Sequence, residues 1–219
     1  MNALLAALAG GFIGLDATSF PQAMISRPLV AGALAGWIAG IPAEGAMLGA
    51  VLEAFHLAIL PIGAAKYPES GTATAAAVFA MALSNPTHGA GMLLAAVFAL
   101  GWERVGGRSV VLARQFNEHI APTGARLAHA STITLRHSAA MLIDFLRGAI
   151  VTVAGTGLGY VWIRVLDSHW VFGPATAHGL LLASAAGCAA AALRVFGGWQ
   201  ARWKLFVAGA IAGLVAVIA

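Results

Sequence analysis

The sequence predicts an all-α integral membrane protein, a polytopic helix bundle with short broken or re-entrant helices in its N-terminal half. Three observations predict it. Hydrophobic residues make up 60% of the 219 residues and charged ones only 9%, whereas a soluble domain uses about 25% charged residues to cover its surface. Mean hydropathy is +0.88. Apolar runs recur along the whole chain, and helices that satisfy their own backbone are the simplest way to place such runs in lipid.

A spanning helix needs about 20 apolar residues. Residues 3–15 form a short run, and "PLVAGALAGWIAGI" at 28–41 is short and stops before Pro42. Residues 43–60 are long enough to span, and 61–65 extend them beyond Pro61. The run at 72–84 is short again and ends at Asn85-Pro86, and 89–102 leads into a polar region at 103–137. Three ordinary spans follow at 139–165, 175–196 and 204–219. Short, Gly- and Pro-interrupted segments are tolerated at membrane depth only beside protein or a cavity, and in transporters they mark the substrate path. The other reading is that they are tilted or interfacial helices.

Arg104, Arg108, Arg114, Arg126 and Arg136 place 103–137 in the cytoplasm by the positive-inside rule. The next loop, "DSHWVFGPATAHG", has no Lys or Arg, and "RVFGGWQARWK" has three, so the C-terminus is expected outside. Val111, Leu112, Phe116 and Ile120 follow helical spacing, which suggests an amphipathic surface helix broken near Pro122. One membrane unit is thus divided into a broken-helix region at 1–102, a cytoplasmic amphipathic segment at 103–137, and C-terminal transmembrane helices at 138–219.

Several function classes fall away. The net charge of +4 comes from loop blocks without interleaved aromatic residues, so no nucleic acid is expected. Cys188, the single cysteine, has no partner for an intrachain disulfide or a CxxC motif. His119, His129 and His137 match no metal spacing, and no metal or other cofactor is expected. "GTGLGY" at 155–160 lies inside an apolar span with no strand before it and no Lys after it, so it is not a phosphate loop. No catalytic residue is identified. The N-terminus lacks the basic region of a cleaved signal and is read as part of the mature chain.

Polar residues inside the apolar runs remain. An ionisable side chain at mid-membrane costs at least about 2.5–3.5 kcal/mol, so Glu53 needs a partner or a polar cavity. It either accepts hydrogen bonds from a polar solute such as a sugar or pairs with Arg27 or Lys66. His56, three residues on, shares its helical face. Asp16 closes the first run, and Arg27 precedes Pro28, a natural first residue of a helix. Asp16 and Arg27 serve either a ligand at that helix end or ordinary capping and anchoring. Gly32, Gly36 and Gly40, and then Gly45 and Gly49, repeat every fourth residue and permit close helix contact.

These residues carry a resemblance. Leu15-Asp16, Arg27-Pro28-Leu29, Gly40-Ile41-Pro42, Gly49 with Leu52-Glu53, and Gly63-Ala64-Ala65 with Pro68-Glu69 follow one another in the order of a known signature. They resemble the enzyme IIC component of mannose–fructose–sorbose-type phosphotransferase systems. The later "FNEHIAPTGARLAHASTITLRHSAAMLIDFLRGA" is similar to that family's amphipathic segment and the helix after it. The likeness covers about two thirds of the chain, up to roughly residue 150. The resemblance implies a sugar permease subunit of the inner membrane, paired with a IID subunit and assembled as a trimer of IIC–IID pairs. The sugar would be phosphorylated by a separate IIB domain within a IIA/IIB phosphocarrier chain, so the IIC chain has no phosphorylation site of its own. It also implies that Gly63, Ala64 and Glu69 join Asp16, Arg27, Glu53 and His56 along the sugar path. Departures are the short chain, Glu69 where Asp is common, and Tyr67-Pro68. A non-transporting regulatory or scaffold role, acting through 103–137, stands as the alternative, with an unrelated permease or channel as a third reading.

Overall fold

The computed structural model describes residues 2–57, 68–120 and 130–195, with isolated positions beyond. Among the described residues it is all helical: α1 (Ala3–Thr18), α2 (Pro28–Ala39), α3 (Pro42–His56), α4 (Ser70–Ser84), α5 (Gly91–Ile120), α6 (Ala130–Ser168) and α7 (Pro174–Val195). The expected fold class is the one observed. Expected spans at 204–219 fall mostly outside the described residues.

Local chemistry sets the short helices. Pro28 and Pro42 stand at the first positions of α2 and α3, where a missing N–H costs nothing. Gly40 ends α2 in the left-handed region at φ 79°, which a side chain would strain. Asn85 does the same for α4 at φ 45°, just before Pro86. At 1.5 Å per residue, the 12 residues of α2 and the 15 of α3 reach only about 18 and 22 Å, short of the ~30 Å hydrocarbon layer. The 30 residues of α5 and the 39 of α6 reach about 45 and 58 Å and must project beyond it. Thus α5 runs unbroken past residue 102, and α6 starts at Ala130, well before the apolar run at 139. Tertiary packing carries α5 through Gly106-Gly107, where sequence alone reads a polar loop.

Small residues bring the axes together. A Cβ on Gly45 would lie 2.5 Å from the Gly32 carbonyl oxygen, and one on Gly36 would lie 2.8 Å from the Gly45 Cα. The α2/α3 hairpin is therefore closed backbone to backbone, as the glycine spacing predicts. A Cβ on Gly14 would lie 2.6 Å from Gly148 Cα, joining α1 to α6 in opposite directions. Gly155 meets Ala76 and Gly159 meets Ala80, so α4 and α6 run in the same direction.

At the centre stands α4. Every residue from Gly71 to Met81 is buried, and it packs on α1, α2, α3, α5 and α6. Around it the outer helices expose large apolar side chains, including Phe12, Trp37, Ile150, Leu158 and Leu182. Apolar side chains directed outward all round are what a lipid solvent requires. Among the described residues, α6 and α7 are long and apolar enough to cross a membrane.

Candidate functional site

Most of the buried ionisable residues gather at one level, where α1 ends, α2 begins, α3 ends and α4 begins. Asp16, in the last turn of α1, is 2% exposed and accepts from the main-chain N–H groups of Ala23 (2.6 Å) and Ser26 (2.8 Å). It thereby holds the link that delivers Arg27 to the start of α2. Close by, Ser19 donates to the buried carboxylate of Asp144 on α6.

Glu53 is one helical turn beyond Gly49, whose lack of a side chain lets α3 lie on the first turn of α2. Its carboxylate pairs with the Arg27 guanidinium, accepting from Nε at 2.8 Å and from Nη2. Its other oxygen accepts from the Leu29 N–H at 3.3 Å. Since α2 has no side-chain cap of its own, an acid from α3 takes up that unpaired donor and faces the positive end of the helix dipole. The pair is half-open, with side chains 31% and 18% exposed.

Behind it, the pairs are closed. His56 Nδ1 lies 2.7 Å from the Leu52 carbonyl oxygen, which can only accept, so Nδ1 carries a proton. Nε2 then meets Glu103 Oε2 on α5 at 2.7 Å. Glu69, just before α4, receives Arg147 of α6 through both oxygens, at 2.6 and 2.8 Å. Arg147 also donates to Ser109 Oγ at 3.1 Å and to the Gly14 carbonyl at 3.2 Å. Glu69 is 1% exposed at its side chain, and in this conformation no solute reaches it. A Cβ on Gly106 would lie 2.9 Å from Glu69 Oε2, so glycine there lets α5 pass. The main-chain N–H of Glu69 donates to the Glu103 carbonyl at 3.0 Å.

Of the sequence-predicted residues, the structure thus joins Arg27 to Glu53 and sets Asp16, His56 and Glu69 beside them. Gly63 and Ala64, and Lys66 as a possible partner of Glu53, lie outside the described residues. Sequence reasoning does not single out Glu103 or Arg147; the signal for them is the need of a buried ionisable group for a polar partner. A second polar knot sits at the opposite end of α4. There Asp167 of α6 accepts from the N–H groups of Thr87, His88 and Ala90, at 2.9, 3.1 and 3.2 Å, and fixes the α4–α5 turn. Among the described residues no cluster has the makings of a metal site.

The profile of the family described as "PTS system sorbose-specific IIC component" matches residues 1–181. The chain belongs to this family. Two curated sorbose-specific EIIC components are similar to it. The one from Lacticaseibacillus casei is 32% identical over 128 residues, covering 58% of this chain and 45% of the relative. The one from Klebsiella pneumoniae is 31% identical over 126 residues, 57% of this chain and 46% of the relative. The similarity thus spans just under half the length of either relative. Two solved structures share this fold at 19% identity, each match covering 99% of this chain and 93% of the other. One is described only as a membrane protein (TM-score 0.67), and the other belongs to a complex of the mannose transporter ManYZ with microcin E492 (TM-score 0.62).

Proposed function

We propose that this IIC-family chain binds and translocates a sugar as the membrane permease subunit of a phosphoenolpyruvate-dependent phosphotransferase system. The observation that carries the reading is the half-open Arg27–Glu53 pair at the exposed start of a helix too short to span. A carboxylate and a guanidinium side by side supply acceptors and donors for neighbouring sugar hydroxyls. Their mutual neutralisation keeps the cost of a polar site at membrane depth low. Asp16 positions Arg27 through the α1–α2 link, while His56 and Glu69 hold α3 and α4 in place behind the pair. The sugar would meet Arg27 and Glu53 first.

The same reading gives the chain a IID membrane partner, trimeric assembly of such pairs, IIA/IIB phosphocarriers, and a location in the inner membrane with the outer ends of α5 and α6 in the cytoplasm. Support for these comes from family membership, from the fold shared with a chain of ManYZ, and from the arginines of α5. The phosphoryl group would be supplied by the separate carrier.

The test is phosphoenolpyruvate-dependent uptake of L-sorbose, D-mannose and D-fructose by vesicles holding this chain, its IID partner and the soluble phosphotransfer proteins. Accumulation of one phosphorylated sugar is expected. Glu53→Gln should lower its uptake about tenfold or more, as loss of a charge-assisted hydrogen bond implies. No uptake by a fully assembled complex would refute the transport reading.

A further inference from the structure

Glu103 takes no part in the site as the sequence describes it, yet the chain on both sides of residues 58–67 is held at this one residue. On the N-terminal side, its carboxylate meets Nε2 of His56, the last residue of α3, at 2.7 Å. On the C-terminal side, its carbonyl oxygen accepts from the N–H of Glu69, the residue that precedes α4, at 3.0 Å. Both side chains of the His56–Glu103 contact are closed, 4% and 7% exposed.

The contact has a direct geometric effect on the half-open pair. His56 and Glu53 stand three positions apart on α3, on one helical face. Because Nδ1 is already committed to Leu52, the ring is fixed against its own helix, and Nε2 is its only free handle. Where Glu103 holds Nε2, it sets the rotation of the last turn of α3, and that turn carries Glu53. The glycine contacts at Gly45 and Gly49 set how closely α3 approaches α2, but glycine against backbone resists sliding and rotation weakly. The buried close approach of Nε2 to the Glu103 carboxylate, 2.7 Å at the end of the helix, supplies that missing constraint.

We propose that Glu103 is a positioning residue for the sugar site, acting through His56 to hold Glu53 against Arg27 and the start of α2. The inference rests on the reading that Arg27 and Glu53 meet the sugar.

The experiment is uptake kinetics in vesicles of the full complex, with whichever of L-sorbose, D-mannose and D-fructose the parent transports as the probe. The amount of this chain in the membrane is quantified for each variant. Glu103→Gln and His56→Gln should each raise KM about tenfold while leaving the maximal rate per complex within about twofold, and the double variant should be no worse than the worse single one. Glu103→Asp keeps the charge on a shorter arm and should fall between parent and Glu103→Gln; it carries the test if Glu103→Gln does not accumulate. Unchanged KM with a lower maximal rate, or single effects that multiply in the double variant, would overturn the proposal. Glu53→Gln run alongside separates the two readings. If it too leaves KM and rate unchanged, the sugar-site reading itself fails. If it is impaired while the Glu103 variants match the parent, only the positioning role is lost.

Discussion

Replacing Arg147 with Met tests how much of the bundle depends on one buried cation. The Arg147 guanidinium satisfies both oxygens of Glu69, the Ser109 hydroxyl and the Gly14 carbonyl, and so ties α6 to α4, α5 and α1 together. Arg147→Met leaves the Glu69 carboxylate, 2% exposed, without its counter-charge. Breaking a buried pair in this way costs about 3–5 kcal/mol, while the Gly14 carbonyl keeps the Thr18 hydroxyl as a donor at 2.9 Å. That is a large fraction of a total stability of about 5–15 kcal/mol. Glu69→Met with Arg147→Met removes both charges at once and should return most of the loss, to within about 1–2 kcal/mol of the parent. The assay is reversible unfolding in mixed micelles, raising the denaturing detergent fraction and following helical circular dichroism. A single variant that costs under about 1 kcal/mol, or a double variant as costly as both singles summed, would refute the assignment of Arg147 as the counter-charge of Glu69.

Two further outcomes follow from the packing. Gly45→Val puts a branched side chain where a Cβ alone would lie 2.5 Å from the Gly32 carbonyl oxygen; the hairpin should splay, at a cost of about 3 kcal/mol or more, seen as a lower midpoint in the same unfolding assay and new protease sensitivity near Gly40. Thr72→Val exchanges a fully buried hydroxyl with no hydrogen-bond partner among the described residues for a methyl group of similar shape; it should be neutral or stabilising by about 1 kcal/mol, and a loss of that size would show that the hydroxyl has a partner.

The short helices were legible because their ends are written locally. Pro28 and Pro42 open α2 and α3, Gly40 and Asn85 close α2 and α4, and each signal acts within a few residues of itself. The glycine repeats likewise marked segments fit for close helix contact, and the structure pairs them with each other in α2 and α3. The polar pairs were not legible, because His56 meets Glu103 across 47 positions and Glu69 meets Arg147 across 78. A buried acid must find a polar partner, yet Glu69 had several arginines to choose from. The continuity of α5 was hidden for a related reason. Glu103 and Arg104 beside Gly106 and Gly107 read as a cytoplasmic loop, whereas Glu103 is turned inward to His56 and Gly106 makes room for Glu69. In the candidate site, Arg27 is one of the two partners the sequence offers Glu53, and the choice depended on the exact pitch of a hairpin.

The burial of α4 from Gly71 to Met81 has a consequence for how the protein is made. With 15 residues it is about 22 Å long, and it offers lipid almost no surface of its own. Its alanines and threonines give it little reason to leave the insertion machinery alone. Its parallel neighbour α6, which fills its flank at Ala76 and Ala80, begins only at Ala130. The packing around α4 can therefore be completed only once α5 and α6 have been synthesised. The central helix of the bundle thus acquires its last wall from a segment separated from its own end by residues 85–129.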